Sequence, residues 1–167
     1  KTRGYPPLTV IIYRGGISEG QFYQVATAER DIFRAAFKAL NEKYSPGLAI
    51  VAVSRDHNER LYRADKPKGG RAKEQNLPPG TLVDSRIVNP EFNEFYLLSQ
   101  QALQGTAKPA KYTLLCEDKQ MPMDAWEDLT NSLTHLHQIV NSPTSLPSPL
   151  YIANQYNKRA SEQFTHR

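Results

Sequence analysis

Two short apolar runs and two longer amphipathic stretches dominate the pattern of hydrophobic positions along the chain. The runs are 8–13, Leu-Thr-Val-Ile-Ile-Tyr, and 48–53, Leu-Ala-Ile-Val-Ala-Val. Both are rich in β-branched or small apolar residues and almost continuous in apolarity, which is typical of strands covered on both faces. We therefore predict two buried strands, the first of them a central strand of a mixed or parallel sheet.

The segment between these runs has the periodicity of a long helix. Apolar residues recur at spacings of three and four from Phe22 to Tyr44, and the sequence Ser-Pro-Gly at 45–47 ends the pattern. A strand, a helix and a second strand together form a right-handed crossover unit. The predicted fold class is therefore α/β.

The rest of the chain combines a long polar loop with shorter elements. The loop extends from Ser54 to Glu74, and loops of this length are usually functional or mobile. Three short strands and two further helices follow, which we predict at 81–87, 94–99, 111–116, 124–140 and 150–163. Asp124 and Glu127 form a candidate capping box at the start of the first of these helices. The proline-rich segment 141–149 is a connector.

Length and composition indicate one domain with a basic charge. The chain has 167 residues, 39% of them hydrophobic, and a formal net charge of +4. This composition supports one core and excludes a small disulfide scaffold. The single cysteine, Cys116, favours a reducing location inside the cell, in the cytoplasm or the nucleus, and we interpret it as a small core residue. No apolar run approaches the roughly 20 residues of a membrane span. No signal peptide is expected, and the start without Met is typical of a fragment.

Common catalytic and cofactor motifs are not matched. The glycine-rich turn at 15–20 lies between a strand and a helix, but Ile17 stands where a dinucleotide motif requires glycine. The Lys and Ser or Thr of a phosphate-binding loop are missing after Gly20. We interpret the turn as a flexible connection in which Ser18 begins the helix. The serines lack the context of a catalytic nucleophile. The four histidines lack the spacing of a metal site; they are His57, His135, His137 and His166.

The polar loop carries a charge pattern that favours an anionic ligand. Seven basic and four acidic residues lie between Ser54 and Glu74, an excess of three positive charges. Arg55 and Arg60 follow the end of a buried strand, at the edge where open α/β sheets bind ligands. An anionic polymer is the natural partner of such a rim, because Lys and Arg side chains that meet phosphates release counterions. Composition alone favours the other interpretation, a loop that is only solvated.

Five segments resemble, in order and spacing, the C-terminal half of the PIWI domain of Argonaute proteins, the small-RNA-guided silencing factors. Residues 13–22, Tyr-Arg-Gly-Gly-Ile-Ser-Glu-Gly-Gln-Phe, match the family signature Tyr-Arg-Asp-Gly-Val-Ser-Glu-Gly-Gln-Phe in eight of ten places. The other similar segments lie at 44–47, 79–84, 95–109 and 146–151. The resemblance implies a ribonuclease-H-like PIWI fold, with a mixed sheet flanked by helices, and makes 1–167 the C-terminal part of a single PIWI domain.

The resemblance also implies that target cleavage is lost. Family members that cleave RNA hold two divalent ions with carboxylates and a final Asp or His, and these ions activate water. The third ligand position falls on Gly15 and the fourth on Asn154, while the remaining ones lie upstream of this chain. Glycine has no side chain and an amide is a poor replacement for a carboxylate. We therefore expect no catalytic residue here, and Mg²⁺ or Mn²⁺ only if cleavage is retained.

Positions that contact the guide RNA in the family are better preserved. Six residues match positions that touch the sugar-phosphate backbone of the guide's seed region: Arg55, Arg60, Gln104, Lys108, Ser145 and Tyr151. A seventh, Arg159, matches a position that reaches toward the 5′ phosphate of the guide. Such contacts position a strand without reading its bases. Asp56 and Gln100 replace residues that are often basic or His, which weakens the positive field. The expected partners are a small guide RNA and a complementary target RNA.

A third hypothesis concerns the outer face of the helix at 22–44. Arg34, Leu40 and Tyr44 match positions that line tryptophan pockets in family members that bind glycine-tryptophan repeat proteins. Leu40 and Tyr44 also lie on the apolar stripe of the helix, and core packing is the interpretation that we favour for them. A guide-RNA-binding module that does not cut its target is thus the leading hypothesis, with a metal-dependent RNA endonuclease and a protein-docking surface as alternatives.

Overall fold

Five strands form one mixed sheet in the order β1-β2-β5-β4-β3. The computed structural model describes residues 5–65 and 71–165. The strands are Thr9–Gly15 (β1), Gly47–Ser54 (β2), Thr81–Val83 (β3), Asn93–Leu98 (β4) and Ala110–Glu117 (β5). β1 and β2 are parallel, and all other neighbouring strands are antiparallel.

The helices are Phe22–Gln24 (α1), Arg30–Leu40 (α2), Met123–Thr134 (α3) and Ser148–Thr165 (α4). Short 3₁₀ turns lie at Glu19–Gln21 and Ala72–Gln75, and a π turn lies at Val25–Glu29. The predicted mixed sheet flanked by helices is confirmed.

The crossover unit from β1 to β2 is present as predicted, but its helix is less regular and shorter. A 3₁₀ turn, a short α-helix and a π turn precede α2. The helix ends at Leu40, four residues before the predicted end. Asn41 takes extended backbone angles, and its side chain accepts a hydrogen bond from the Lys43 backbone at 2.9 Å. This local turn competes with helix continuation, as is common for asparagine.

β2 lies between β1 and β5 and is the more deeply buried of the two parallel strands. Residues 48–53 of β2 are each 4% exposed or less. Within the described residues β1 pairs with β2, and most of its residues are half-buried. The predicted central position of β1 stays a prediction. Ile11 and Tyr13 contact one apolar cluster, while Val10 and Ile12 contact another on the opposite face. The continuous apolarity of this strand therefore reflects apolar cover on both of its faces.

Two apolar clusters lie on opposite faces of the sheet. The larger one joins β2, β4 and β5 to Trp126 of α3 and Leu150 of α4. The smaller one joins Leu48 and Ile50 to the helices that precede β2. Cys116 is half-buried against this smaller cluster, and burial raises the pKa of its thiol. Helices thus pack against both faces of the sheet and hold the carboxyl ends of β1 and β2 in place.

Several predicted boundaries differ from the observed ones. β3 ends at Val83, and Arg86 beyond it has a positive φ of 63°. α3 begins after Pro122 without a side-chain cap, so the Asp124–Glu127 capping box is not formed. The helix stops at Thr134, whose carbonyl accepts a hydrogen bond from the Thr144 backbone at 2.9 Å. α4 begins two residues before its predicted start. Among the described residues, no helix combines the length and apolarity needed to cross a membrane.

Candidate nucleic-acid interface

The carboxyl ends of the two parallel strands open into a cleft of about 1070 Å³. β1 ends at Gly15 and β2 at Ser54, and Gly15 pairs with Val53 in the ladder. Because parallel strands end at the same edge, the glycine-rich turn and the polar loop begin side by side. α4 lies along another side of the cleft. The cleft therefore brings together three of the predicted residues, Gly15, Arg55 and Asn154.

The two positions expected to hold metal in active relatives offer no carboxylate. A Cβ at Gly15 would lie 3.5 Å from Cδ1 of Leu150, an ordinary contact, so the position has room for a Cβ atom. Asn154 is exposed on α4. Within 5–65 and 71–165, no group of three or more His, Cys, Asp or Glu side chains is placed to hold a metal ion. The part of the site in this chain does not fit the two-ion arrangement that the resemblance implies.

Arg55 is held at the rim of the cleft by a side chain from a distant segment. Its Nη1 donates a hydrogen bond to Oγ of Ser145 at 3.1 Å. Ser145 lies in the connector between α3 and α4, 90 residues further along the chain. Two of the predicted RNA-contacting residues are thus in direct contact.

Arg60 is partly turned back onto its own loop. Its Nη1 donates hydrogen bonds to the carbonyls of His57, at 3.2 Å, and Glu59, at 2.7 Å. A guanidinium has five N–H donors, so the groups on Nε and Nη2 remain for a ligand. A hydrogen bond from its own backbone is the main reason that the pKa of the Glu59 carboxyl is lowered.

Glu19 and Lys111, which sequence analysis did not assign to the site, line the cleft and form its polar wall. The Lys111 ammonium pairs with Glu19 of the glycine-rich turn, and it lies 3.6 Å from Oε2 of the buried Glu94. Thr113 donates a hydrogen bond to the same Glu94 oxygen at 2.8 Å. Burial alone lowers the pKa of Lys111, but the bond to Glu19 and the charges of both carboxylates outweigh it, so the pKa is raised. Glu19 belongs to the signature at 13–22, but no motif joins it to Glu94, Lys111 and Thr113, because the four residues come from three separate elements.

Gln104 and Lys108 lie on the loop before β5 and do not line the cleft. Asn76 fixes this loop: its Nδ2 donates to the Gly105 carbonyl, and its Oδ1 accepts from the Ala107 backbone, both at 2.9 Å. Gln104 is exposed and Lys108 is half-buried. Asn76 is a further residue that sequence analysis missed.

Tyr151 and Arg159 line a separate groove of about 1010 Å³, formed by α4 and the segment after α3. The Tyr151 ring contacts the His137 ring, with centroids 5.0 Å apart. Ile139 and Tyr156 are exposed in the same groove. The seven predicted RNA contacts are therefore divided among the cleft rim, the loop before β5 and this groove.

Part of the positive charge of the polar loop is neutralised or lies outside the described residues. Arg63 forms an ion pair with Asp65 at 2.8 Å. Lys66 and Lys68, as well as His166 at the C-terminal end, belong to segments that the structure does not describe. Arg55 and Arg60 remain the candidate phosphate contacts at the start of the loop.

The candidate protein-docking residues are only partly together. Leu40 is 78% exposed, so the core-packing interpretation is wrong for it. Leu40 and Tyr44 line a groove of about 590 Å³, and the Tyr44 hydroxyl donates to the Pro7 carbonyl at 2.9 Å. Arg34 is not in this groove; it pairs with Asp118 at 2.7 Å, and the other Asp118 oxygen accepts a hydrogen bond from the Leu48 backbone.

Comparisons with known proteins agree with this architecture. A family profile described as the Piwi domain matches residues 1–165. The Argonaute protein wago-1 of Caenorhabditis elegans is 40% identical over 162 residues, which cover 97% of this chain and 17% of wago-1. The crystal structure of the C-terminal lobe of a budding yeast Argonaute has a TM-score of 0.84 and 27% identity, covering 95% of this chain and 34% of that one. The structure of Kluyveromyces polysporus Argonaute with a guide RNA has a TM-score of 0.82 and 27% identity, covering 94% of this chain and 20% of that one. The present chain thus spans about one sixth of the length of wago-1.

Proposed function

Because this chain belongs to the Piwi domain family of Argonaute proteins, we propose that it holds a small guide RNA for pairing with a target RNA and does not cut the target. In this proposal the chain is the C-terminal part of one Piwi domain in a longer Argonaute. A single observation carries the proposal: the cleft that retains Arg55 presents Gly15 and Asn154, and no carboxylate, at the two ligand positions.

RNA binding is supported by the chemistry of the cleft rim and by the related structure that contains a guide RNA. Arg55 is oriented by Ser145 before any ligand arrives, which lowers the entropy lost on binding. A guanidinium can contact two phosphate oxygens at once. These contacts address the sugar-phosphate backbone, so the domain accepts guides of any sequence. Tyr151, Arg159, Gln104 and Lys108 extend the proposed path beyond the cleft.

The absence of cleavage follows from the ligand chemistry that Gly15 and Asn154 provide. Two-ion hydrolysis requires negatively charged oxygen ligands that hold both ions near the scissile phosphate. A hydrogen atom at position 15 does not replace a carboxylate, and the neutral amide of Asn154 is a poor replacement for the final Asp or His. The alternative is an endonuclease in which residues outside this chain complete the metal site. Silencing without cleavage requires recruited proteins, and it operates inside the cell, in the cytoplasm or the nucleus.

A single-turnover assay on the full-length Argonaute separates these two functions. The protein is loaded with a defined guide and mixed with a matched, end-labelled target in the presence of Mg²⁺ or Mn²⁺. We expect the target to stay bound and intact. Gly15→Asp combined with Asn154→His is the comparison, and a Cβ at position 15 makes only an ordinary contact with Leu150. A cut product from the unmodified protein would show that the proposal of an inactive site is wrong.

We also propose, as a second function, that the groove at the end of α2 binds a glycine-tryptophan repeat protein. The supporting observation is that Leu40 is exposed beside Tyr44 and the adjoining chain, which leaves apolar surface uncovered. Binding of a glycine-tryptophan peptide to the full-length protein is measured by fluorescence anisotropy, with Leu40→Glu as the test variant and Ile32→Glu as an exposed control on the same helix. Equal binding by both variants and the unmodified protein would exclude this groove.

A further inference from the structure

The ring of His57 is buried at the base of the polar loop, three residues before Arg60. Its side chain is 7% exposed and packs edge-on against Tyr96, with ring centroids 5.3 Å apart. Nε2 lies 2.8 Å from the carbonyl oxygen of the buried Pro109, which precedes β5. Nδ1 lies 2.9 Å from Oε2 of Glu59. The ring therefore ties the loop that follows β2 to the start of β5.

The backbone of the same residue contacts Arg60. The His57 carbonyl accepts a hydrogen bond from Nη1 of Arg60, and the Glu59 carbonyl accepts a second one from the same nitrogen. Two carbonyls on one nitrogen fix the direction of the guanidinium relative to residues 57–59. The position of Arg60 then depends on where these residues lie, and the ring of His57 sets that position through Pro109 and Tyr96.

We propose that His57 is a positioning residue that holds the Arg60 guanidinium in place for an RNA phosphate. This inference rests on the proposed RNA-binding function and adds to it a residue that touches no RNA. Arg55 is a natural reference, because its guanidinium is oriented by Ser145 in the connector before α4 and not by His57. Loss of the His57 ring therefore affects the contribution of Arg60 and leaves that of Arg55 intact.

The proposal predicts a specific pattern of non-additivity in guide RNA affinity. The Kd of the full-length protein for a 5′-phosphorylated guide is measured at fixed salt for His57→Phe, Arg60→Ala, Arg55→Ala and the paired combinations. His57→Phe keeps an aromatic ring against Tyr96 but lacks the N–H that the Pro109 carbonyl accepts. We expect His57→Phe and Arg60→Ala each to weaken binding about tenfold, in the range of a lost charge-assisted hydrogen bond. The combination of the two should bind within about twofold of Arg60→Ala alone, because both remove the same contact.

Two controls separate positioning from a general loss of structure. His57→Phe combined with Arg55→Ala should show the product of the two single effects, since these residues act independently. His57→Gln, whose amide can donate to the Pro109 carbonyl, should bind within about threefold of the unmodified protein. If His57→Phe loses its cooperative thermal transition, His57→Asn replaces it, because its shorter amide remains polar but does not reach Pro109.

Each contrary result has a distinct meaning. Multiplicative effects of His57→Phe and Arg60→Ala would overturn the positioning role while leaving RNA binding intact. Unchanged affinity in His57→Phe would overturn it as well. If neither Arg55→Ala nor Arg60→Ala weakens guide binding, the proposed RNA-contacting role of this loop fails, and the role of His57 fails with it.

Discussion

The guanidinium of Arg55 donates a hydrogen bond to the hydroxyl of Ser145 across 3.1 Å, and this bond joins the end of β2 to the connector before α4. Ser145→Ala should free the Arg55 side chain and weaken guide RNA binding by about two- to tenfold, the range for one hydrogen bond. Filter binding on the full-length protein measures the Kd. Ser142→Ala, at an exposed position of the same connector, is the control and should leave the Kd unchanged. An equal loss in both variants would assign the effect to the connector and not to this bond.

The salt dependence of guide binding tests whether the loop contacts phosphates. Arg55→Ala with Arg60→Ala should lower the slope of log Kd against log salt by about 1.4, because each phosphate contact on a single strand contributes roughly 0.7. The loss of affinity should be the same for guides of different sequence, since backbone contacts carry no base information. Lys38→Ala, an exposed basic position on α2, should change neither quantity. A loss that varies with guide sequence would contradict recognition of the backbone.

The two neighbouring glycines after β1 should respond oppositely to alanine. At Gly15 a Cβ makes an ordinary contact with Leu150, so Gly15→Ala should stabilise the strand end by about 0.5 kcal/mol through reduced freedom of the unfolded chain. Gly16 has a φ of +74°, so Gly16→Ala should destabilise the turn by about 1 kcal/mol. Native-state hydrogen exchange of the β1 and β2 amides measures both effects. Destabilisation by Gly15→Ala would also make Gly15→Asp unsuitable for the cleavage assay.

The stability of the protein should depend more on Lys111, the cation of the polar wall, than on Glu19, its exposed anion. The Lys111 side chain is 11% exposed, and Lys111→Met leaves the buried Glu94 without its cation. We expect a loss of about 3 kcal/mol, whereas Glu19→Gln should cost under about 1 kcal/mol because Glu19 is exposed. Thermal unfolding of the purified protein compares them. Lys111→Met with Glu94→Gln should recover part of the loss, and equal effects of the two single variants would contradict this ranking.

Glu127 of α3 should make stability depend on pH. Glu127 is 9% exposed, and its Oε1 has no hydrogen-bond partner in the described part of the chain. Burial, followed by the charges of Asp84, Asp124 and Asp128, raises the pKa of this carboxyl. The folded state therefore keeps its proton to higher pH than the unfolded state, and stability falls as pH rises from about 4.3 through the raised pKa.

Glu127→Gln removes this ionisation and should raise the melting temperature by a few degrees at pH 7, with little change at pH 4. Melting curves at both pH values make the comparison. Glu42→Gln, on the exposed turn after α2, should change neither value. A stabilisation by Glu127→Gln that is the same at both pH values would show that charge is not the cause.

The crossover unit and the position of the site could be predicted from local patterns. The apolar runs at 8–13 and 48–53 and the helical spacing between them are local properties, and they place both strand ends and the loops that follow at one edge. The errors also have local causes. Asn41 ends α2 early through its own side chain, and the Thr144–Thr134 hydrogen bond ends α3 through a contact between residues ten positions apart.

The sequence by itself determined the fold class, the Argonaute resemblance and the absence of a carboxylate at positions 15 and 154, because each is a matter of residue type, local spacing or order along the chain. Only the tertiary structure decided that Arg55 is oriented by Ser145, that the His57 ring is buried against Tyr96 and Pro109, and that Leu40 is exposed. These relationships join segments far apart in sequence or depend on how elements pack together. Packing fixes such distances, and no periodicity or motif along the chain encodes them.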